Sequence, residues 1–173
     1  MKKTSFKIFV ALFFGIVFLS TTDAWALASV SKGAAPSSSF SSAAPDFSLM
    51  TVANKNVSLK DFKGKNVMLF FFATWCPGCR DKFPDLIKNT PAFTEEGIEL
   101  LVIDAGESAA KVAAFVQKKG VPFDILLDRD MKVAVDYDVV GVPTFIFIAK
   151  DGRVLFAGND LPKDYARIYN RPS

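Results

Sequence analysis

The chain has 173 residues and a mass of 18.9 kDa, enough for one domain and marginal for two. Half of the residues are apolar and 18 are Phe, which excludes disorder for the body of the chain, and the formal charge of +3 provides no basic footprint for nucleic acid. With no His, Ser-His-Asp hydrolysis, imidazole acid–base chemistry and the usual His-containing metal sites are excluded, and the only two Cys, Cys76 and Cys79, are too few for a disulfide-stapled scaffold.

Residues 1–28 carry the parts of a secretory signal. Lys2, Lys3 and Lys7 precede a 12-residue apolar run at 8–19, and two overlapping A-x-A patterns follow, Ala24-Trp25-Ala26 and Ala26-Leu27-Ala28. Spanning hydrocarbon needs about 20 apolar residues, so cleavage is favoured over an uncleaved anchor. The protein is therefore expected in the periplasm or elsewhere outside the cytoplasm, with no membrane contact beyond such an N-terminal anchor. Residues 29–43 form a Ser/Ala/Pro-rich tether that can bury little, and one domain is predicted over 44–173.

Within the domain, Phe47-Ser48-Leu49 and Val57-Ser58-Leu59 alternate around Asn54-Lys55-Asn56, as in a small hairpin. Residues 67–72 (VMLFFF) and 98–103 (IELLVI) are predicted strands buried on both faces. Between them a helix starts at Pro77, with Phe83, Leu86 and Ile87 at 3–4 spacing. Ser108 is a predicted N-cap for a second helix, whose Val112, Phe115 and Val116 share a face and which Gly120 closes. A strand at 123–127 and a short helix at 129–137 follow. A hairpin of 144–148 with 153–156 turns at Lys150-Asp151-Gly152, and a last helix covers 161–169. Strands alternating with helices before a closing hairpin predict an α/β fold, a mixed sheet covered on both sides.

The two Cys sit in Thr74-Trp75-Cys76-Pro77-Gly78-Cys79, after a buried strand and at the start of a helix. A Cys there meets unsatisfied backbone N–H groups and the positive end of the helix dipole, both of which favour thiolate. Pro77 suits the first helical position, and Cys79 lies one turn on. Cys76 is thus the expected nucleophile and Cys79 the resolving thiol. Two other readings compete. As a staple, a four-residue loop contributes only about 2 kcal/mol, against roughly 4.7 for a 100-residue loop. As a metal site, two Cys supply half a tetrahedron that no His completes. Neither a metal nor another bound cofactor is expected.

Further motifs fall in order: Ala44-Pro45-Asp46-Phe47-Ser48-Leu49, Gly97-Ile98-Glu99, Gly106-Glu107-Ser108 and Gly141-Val142-Pro143-Thr144-Phe145. Together with Phe72-Ala73 and the Cys motif they resemble the extracytoplasmic thiol–disulfide oxidoreductases of the ResA/TlpA type, over residues 44–160. The resemblance implies a thioredoxin-like α/β fold, a mixed sheet flanked by helices with an N-terminal hairpin. It implies exchange with protein thiol or disulfide substrates and with a redox partner protein. Many such proteins act as reductants in cytochrome c assembly or on other extracytoplasmic cysteine proteins. A monomer is expected. Pro143 is implied to be a cis-proline facing the Cys pair, the plain alternative being a trans proline at a strand start. A cis bend would leave the Val142 backbone free to pair with an extended substrate segment. Trp75, Pro77, Gly78, Val142 and Pro143 are accordingly the expected support of the site, with Trp75 an exposed ring or core filler.

The chain also departs from the pattern. Phe70 stands six residues before Cys76, where cytoplasmic thioredoxins carry a buried Asp. Lys82 stands three residues after Cys79, where ResA-type members often carry Glu. Lys82 and Arg80 would lower the thiol pKa values and favour an oxidant, or be solvated residues of little influence. Glu107 either borders and tunes the site or is the acid of a first helical turn. The overall resemblance favours reduction over oxidation. A peroxidase shares the opening motif but needs Pro-x-x-x-Thr/Ser-x-x-Cys, and the corresponding positions are Leu69 and Ala73. A Cu(I)-binding module would use the two thiolates, but related ones add a distant His.

Overall fold

The computed structural model describes residues 42–170. The predicted signal segment and residues 29–41 of the tether lie outside the described residues. Strand β3 (Asn66–Phe72) is buried at every position after Asn66, which explains an apolar run without polar alternation. Its even residues Met68, Phe70 and Phe72 pack with α1 (Pro77–Glu95), α2 (Ala109–Lys119) and α4 (Tyr165–Tyr169). Its odd residues Val67, Leu69 and Phe71 face Phe47, Val133 and Tyr137 on the other side. Each fully buried Phe contributes roughly 1.5–3 kcal/mol. Phe70 also stacks on Phe145 at 4.6 Å and meets Phe83 edge-on at 5.8 Å.

Strands β4 (Ile98–Ala105) and β5 (Ile125–Asp128) extend the sheet in parallel on one side of β3. On the other side β6 (Thr144–Ile148) and β7 (Val154–Gly158) are antiparallel, giving the order β5-β4-β3-β6-β7. The ends of the three parallel strands and the start of β6 therefore share one end of the sheet. Loops 73–76, 106–108, 129–131 and 137–143 converge there. The predicted hairpin is β1 (Ser48–Met50) paired with β2 (Asn56–Ser58), with Asn54 left-handed in its turn. Ser58 then caps a 3-10 turn, Leu59–Phe62, through a capping box with Asp61.

Several boundaries differ from the sequence reading. Ser42 and Ala43, placed in the tether, are already paired to the domain: Ala43 bridges Arg153, and the Ser42 carbonyl accepts the Val154 N–H at 3.2 Å. Helix α3 (Lys132–Asp136) starts three residues later than predicted because Met131 is left-handed, with φ 58°. Its cap is the buried Asp128 carboxylate, which accepts the Val133 and Ala134 N–H groups at 3.1 and 2.7 Å. Ser108 occupies the N-cap position of α2 without a side-chain capping bond, while left-handed Gly120 closes the helix as expected. Helix α4 begins at Tyr165 rather than 161. Helix α1 runs through Pro84 and Pro91, each of which removes an N–H from the ladder; buried Phe83, Leu86 and Phe93 hold it against the sheet. No helix among the described residues is long and apolar enough to cross a membrane.

Candidate active site

The site starts from the turn between β3 and α1. Phe72 is the last buried residue of the strand, and the Cys76 N–H bonds back to the Ala73 carbonyl at 3.1 Å, closing the turn. Cys76 becomes the N-cap of α1, and its Sγ accepts the Cys79 N–H at 3.3 Å. Pro77 takes the first helical position, as its missing N–H allows. The Cys76 thiol points across the sheet end to the Val142 carbonyl oxygen, 3.5 Å away. The Val142–Pro143 bond is cis, and the Pro143 ring lies over Gly78, where an added Cβ would sit 3.7 Å from Cδ. Asn159, after β7, donates from Nδ2 to the Pro143 carbonyl at 2.8 Å, tying the proline loop to the turn before α4.

The two thiols differ in environment. Cys76 retains 6% exposure while Cys79 has none. Burial first, and then the hydrogen bond with Cys76, push the Cys79 thiol up to about 12. Cys79 therefore stays protonated until its sulfur is called on to leave the thiol state. Trp75 is 62% exposed and stands beside the pair as a surface ring, not a core filler.

A second layer lies behind the turn. The Glu107 side chain is buried and accepts three bonds: from the Thr74 N–H at 2.5 Å, the Thr74 hydroxyl at 2.9 Å and the Lys111 ammonium at 2.5 Å. Burial alone would push its carboxyl up; Lys111 and Thr74 outweigh that and hold it below the usual range. Glu107 thus touches the site through Thr74 and is not merely the acid of a helical turn. Asp104 lies directly behind it, fully buried, its Oδ1 accepting the Glu107 N–H at 3.0 Å. Burial, and then Glu107, raise Asp104 to about 8.

The two cations nearest the pair in sequence go elsewhere. Lys82 is turned toward the segment before α4 and paired with Asp160. It lines a cavity of about 350 Å³ with Leu86, Phe145, Leu161 and Tyr165. Arg80 is exposed and lines a shallow groove with Thr74, Lys118 and Lys119. Among the described residues no group of three or more Cys, Asp or Glu is placed to hold a metal ion. Thr74, Asp104, Lys111 and Asn159 are the members of the site that motif reading misses. Asp104 alone carries a signal, an acid that directly follows the apolar run 100–103 within its strand.

Known proteins resemble this chain in sequence and in fold. ResA, a thiol-disulfide oxidoreductase of Bacillus thuringiensis subsp. konkukian, is 36% identical over 112 residues, 65% of this chain and 65% of that one. ResA of Bacillus subtilis is 38% identical over 112 residues, 65% of this chain and 63% of its own length. The chain thus spans just under two thirds of the length of these relatives. A thiol:disulfide interchange protein of the thioredoxin family from Chlorobium tepidum superposes with a TM-score of 0.64 at 27% identity, covering 75% of this chain and 94% of that one. The fold is thioredoxin-like. Residues 41–157, which include the Cys pair, Glu107 and cis-Pro143, match the AhpC/TSA family, and the chain belongs to it.

Proposed function

We propose that this protein exchanges disulfides with protein substrates through Cys76 and Cys79, and that it works as a reductant. The carrying observation is the position of Cys76 Sγ. It sits at the N-terminus of α1, with the Cys79 N–H at 3.3 Å and the Val142 carbonyl at 3.5 Å. The Cys76 thiolate attacks one sulfur of a substrate disulfide, forming a mixed disulfide and expelling the other substrate sulfur as a thiolate that takes up a proton. Cys79 then loses its proton and attacks Cys76 Sγ, breaking the mixed disulfide and expelling the substrate's remaining sulfur as a thiolate that takes up a proton. The products are a substrate dithiol and a Cys76–Cys79 disulfide, which a redox partner protein reduces with two electrons and two protons. Substrates are polypeptides: exposed Trp75, Met131 and Val140 all stand on loops at the sheet end that carries Cys76. The Val142 backbone supplies an edge for an extended segment to pair with.

The thiol-disulfide oxidoreductase activity for which the ResA relatives are named supports the exchange reaction, and the signal-like residues 1–28 support work outside the cytoplasm on cysteine proteins there, apocytochromes c among them. The decisive experiment uses two variants and a potential. Cys76→Ser should abolish reduction of a peptide disulfide, and Cys79→Ser should accumulate a mixed disulfide visible by mass spectrometry. A pair potential near or below about −230 mV supports a reductant; one above about −160 mV makes it an oxidant. Full turnover in either variant sinks the assignment of roles.

A further inference from the structure

Behind the Cys turn lie two buried carboxyls, Asp104 and Glu107, and the ammonium of exposed Lys111 reaches the second of them. Asp104 stands opposite Phe72 in the β3–β4 register, on the sheet face that carries the Cys pair. Gly106, at φ +87°, turns the chain tightly enough to bring the Glu107 N–H back to Asp104 Oδ1 at 3.0 Å. The Glu107 carboxyl then acts directly on Asp104 and, with burial, raises it. Asp104 Oδ2 is buried and accepts no hydrogen bond. A buried oxygen without a donor is satisfied when it carries the proton itself.

The placement of donors decides which carboxyl holds that proton. Glu107 faces three donors, two on Thr74 and one on Lys111, which suit an anion. Asp104 faces one backbone N–H. The charged groups bearing on Asp104 are Glu107, from the turn after β4, and Lys111, from α2. On β3 its neighbour is apolar Phe72, and α1 contributes the thiols of the same cluster. On β5, Asp128 is engaged by the N–H groups of α3. Two ionised carboxyls against one ammonium would leave an uncompensated buried anion, and one shared proton removes it.

We propose that Asp104 is a positioning residue of the exchange site, holding a proton on Oδ2 that it donates to Glu107, so that Glu107 in turn fixes Thr74 beside the Cys76 turn. The proposal rests on the disulfide-exchange reading for its kinetic consequence but not for the shared proton itself. Once Asp104 ionises, the carboxyls repel, the Thr74 anchor loosens, and the turn that aims Cys76 at Val142 loses its backing. The burial that raises Asp104 to about 8 places this loss in the mildly alkaline range.

The test compares kcat/KM for a peptide disulfide between pH 6 and 9.5 in wild type, Asp104→Asn and Asp104→Leu. Asn offers an N–H at the same place and cannot ionise; Leu offers nothing. The Asp104→Asn to wild-type ratio should rise about tenfold through a midpoint near pH 8, and Asp104→Leu should be about tenfold slower at pH 7, the worth of one hydrogen bond to a charged group. Contributions from the thiols cancel in the ratio. A flat ratio overturns the proposal. A ¹³C carboxyl titration of wild type locates the proton without any activity: a midpoint near 8 for Asp104 is expected, and one below 5 overturns the proposal while leaving disulfide exchange intact. Wild type that titrates near 8 but exchanges no disulfide refutes the exchange reading, and with it the positioning role, separately from the shared proton.

Discussion

Replacing Cys76 by Ser and by Ala separates the chemistry of the side chain from its place in the fold. Both variants lose the nucleophile, so they should be equally inactive. They should not be equally stable. Cys76 is the N-cap of α1 in extended conformation, at φ −75° and ψ 116°, and its Sγ accepts the Cys79 N–H. A Ser hydroxyl accepts the same N–H, whereas a methyl group leaves it orphaned. Exchanging a capping Ser for Ala costs about 0.5–2 kcal/mol. Here the cap retains only 6% exposure and Cys79 none, so water replaces the lost acceptor poorly. That places the expected difference in the upper half of the range, about 1–2 kcal/mol. With a urea slope of about 2 kcal/mol per molar, the Ala midpoint should fall roughly 0.5–1 M below that of Ser under reducing conditions. Equal midpoints would refute the reasoning. They would mean that the N–H groups at the start of α1 contribute nothing at Cys76, and the same donors could not then be credited with favouring its thiolate.

Three further outcomes follow from the packing. Asp104 binds its proton more tightly folded, at about 8, than at its ordinary 3.8. Its contribution is thus fully present below pH 3.8 and lost progressively as pH rises to about 8; the urea midpoint of Asp104→Asn should gain on wild type across that window and then hold, and a constant offset would contradict the assignment. Asp128→Ala orphans the Val133 and Ala134 N–H groups and should cost about 2–4 kcal/mol in urea unfolding while leaving exchange kinetics within a factor of two or so. Phe70→Ala removes a fully buried ring packed on Phe145 and Phe83, and a loss of about 3–5 kcal/mol in chemical unfolding is expected; less than about 1.5 would show that the sheet collapses onto the cavity.

The central layer is legible in the sequence because its physics is local. Residues 67–72 and 98–103 are apolar at nearly every position, and a run that short suits a strand covered on both faces. The Cys motif and Pro143 are legible because their residue types match a known pattern, and the fold then brings Cys76 to Val142 across 66 positions of chain. The start of α3 is not legible: its capping carboxylate, Asp128, belongs to the preceding strand, and no propensity marks Met131 as left-handed. Lys82 shows the same limit for the site. Its spacing from Cys79 suggests an influence on the thiols, but the direction of its side chain depends on Asp160, brought near by the return of β7. Asn159 is equally silent in the sequence, since its bond to Pro143 exists only once β6 and β7 have paired.

The direction of electron flow turns on which charges the thiols feel. Lys82 is paired with Asp160 and Lys111 with Glu107, while Arg80 is exposed, where the high dielectric of water weakens its charge. What remains at Cys76 is the N-terminus of α1, worth about 0.3–1 kcal/mol to an anion and about 2 in favourable geometry. The gap between thioredoxin and the strong oxidant DsbA is about 150 mV, or roughly 7 kcal/mol for two electrons. A helix terminus alone closes less than a third of that distance. Cys79 works the other way: pushed up to about 12, it gains nothing from ionisation near neutral pH, so the reduced pair is stabilised by at most one thiolate. Both considerations support the reductant reading proposed above. They locate the reason in the partners that Lys82 and Lys111 have found, not in a lack of positive charge along α1 and α2.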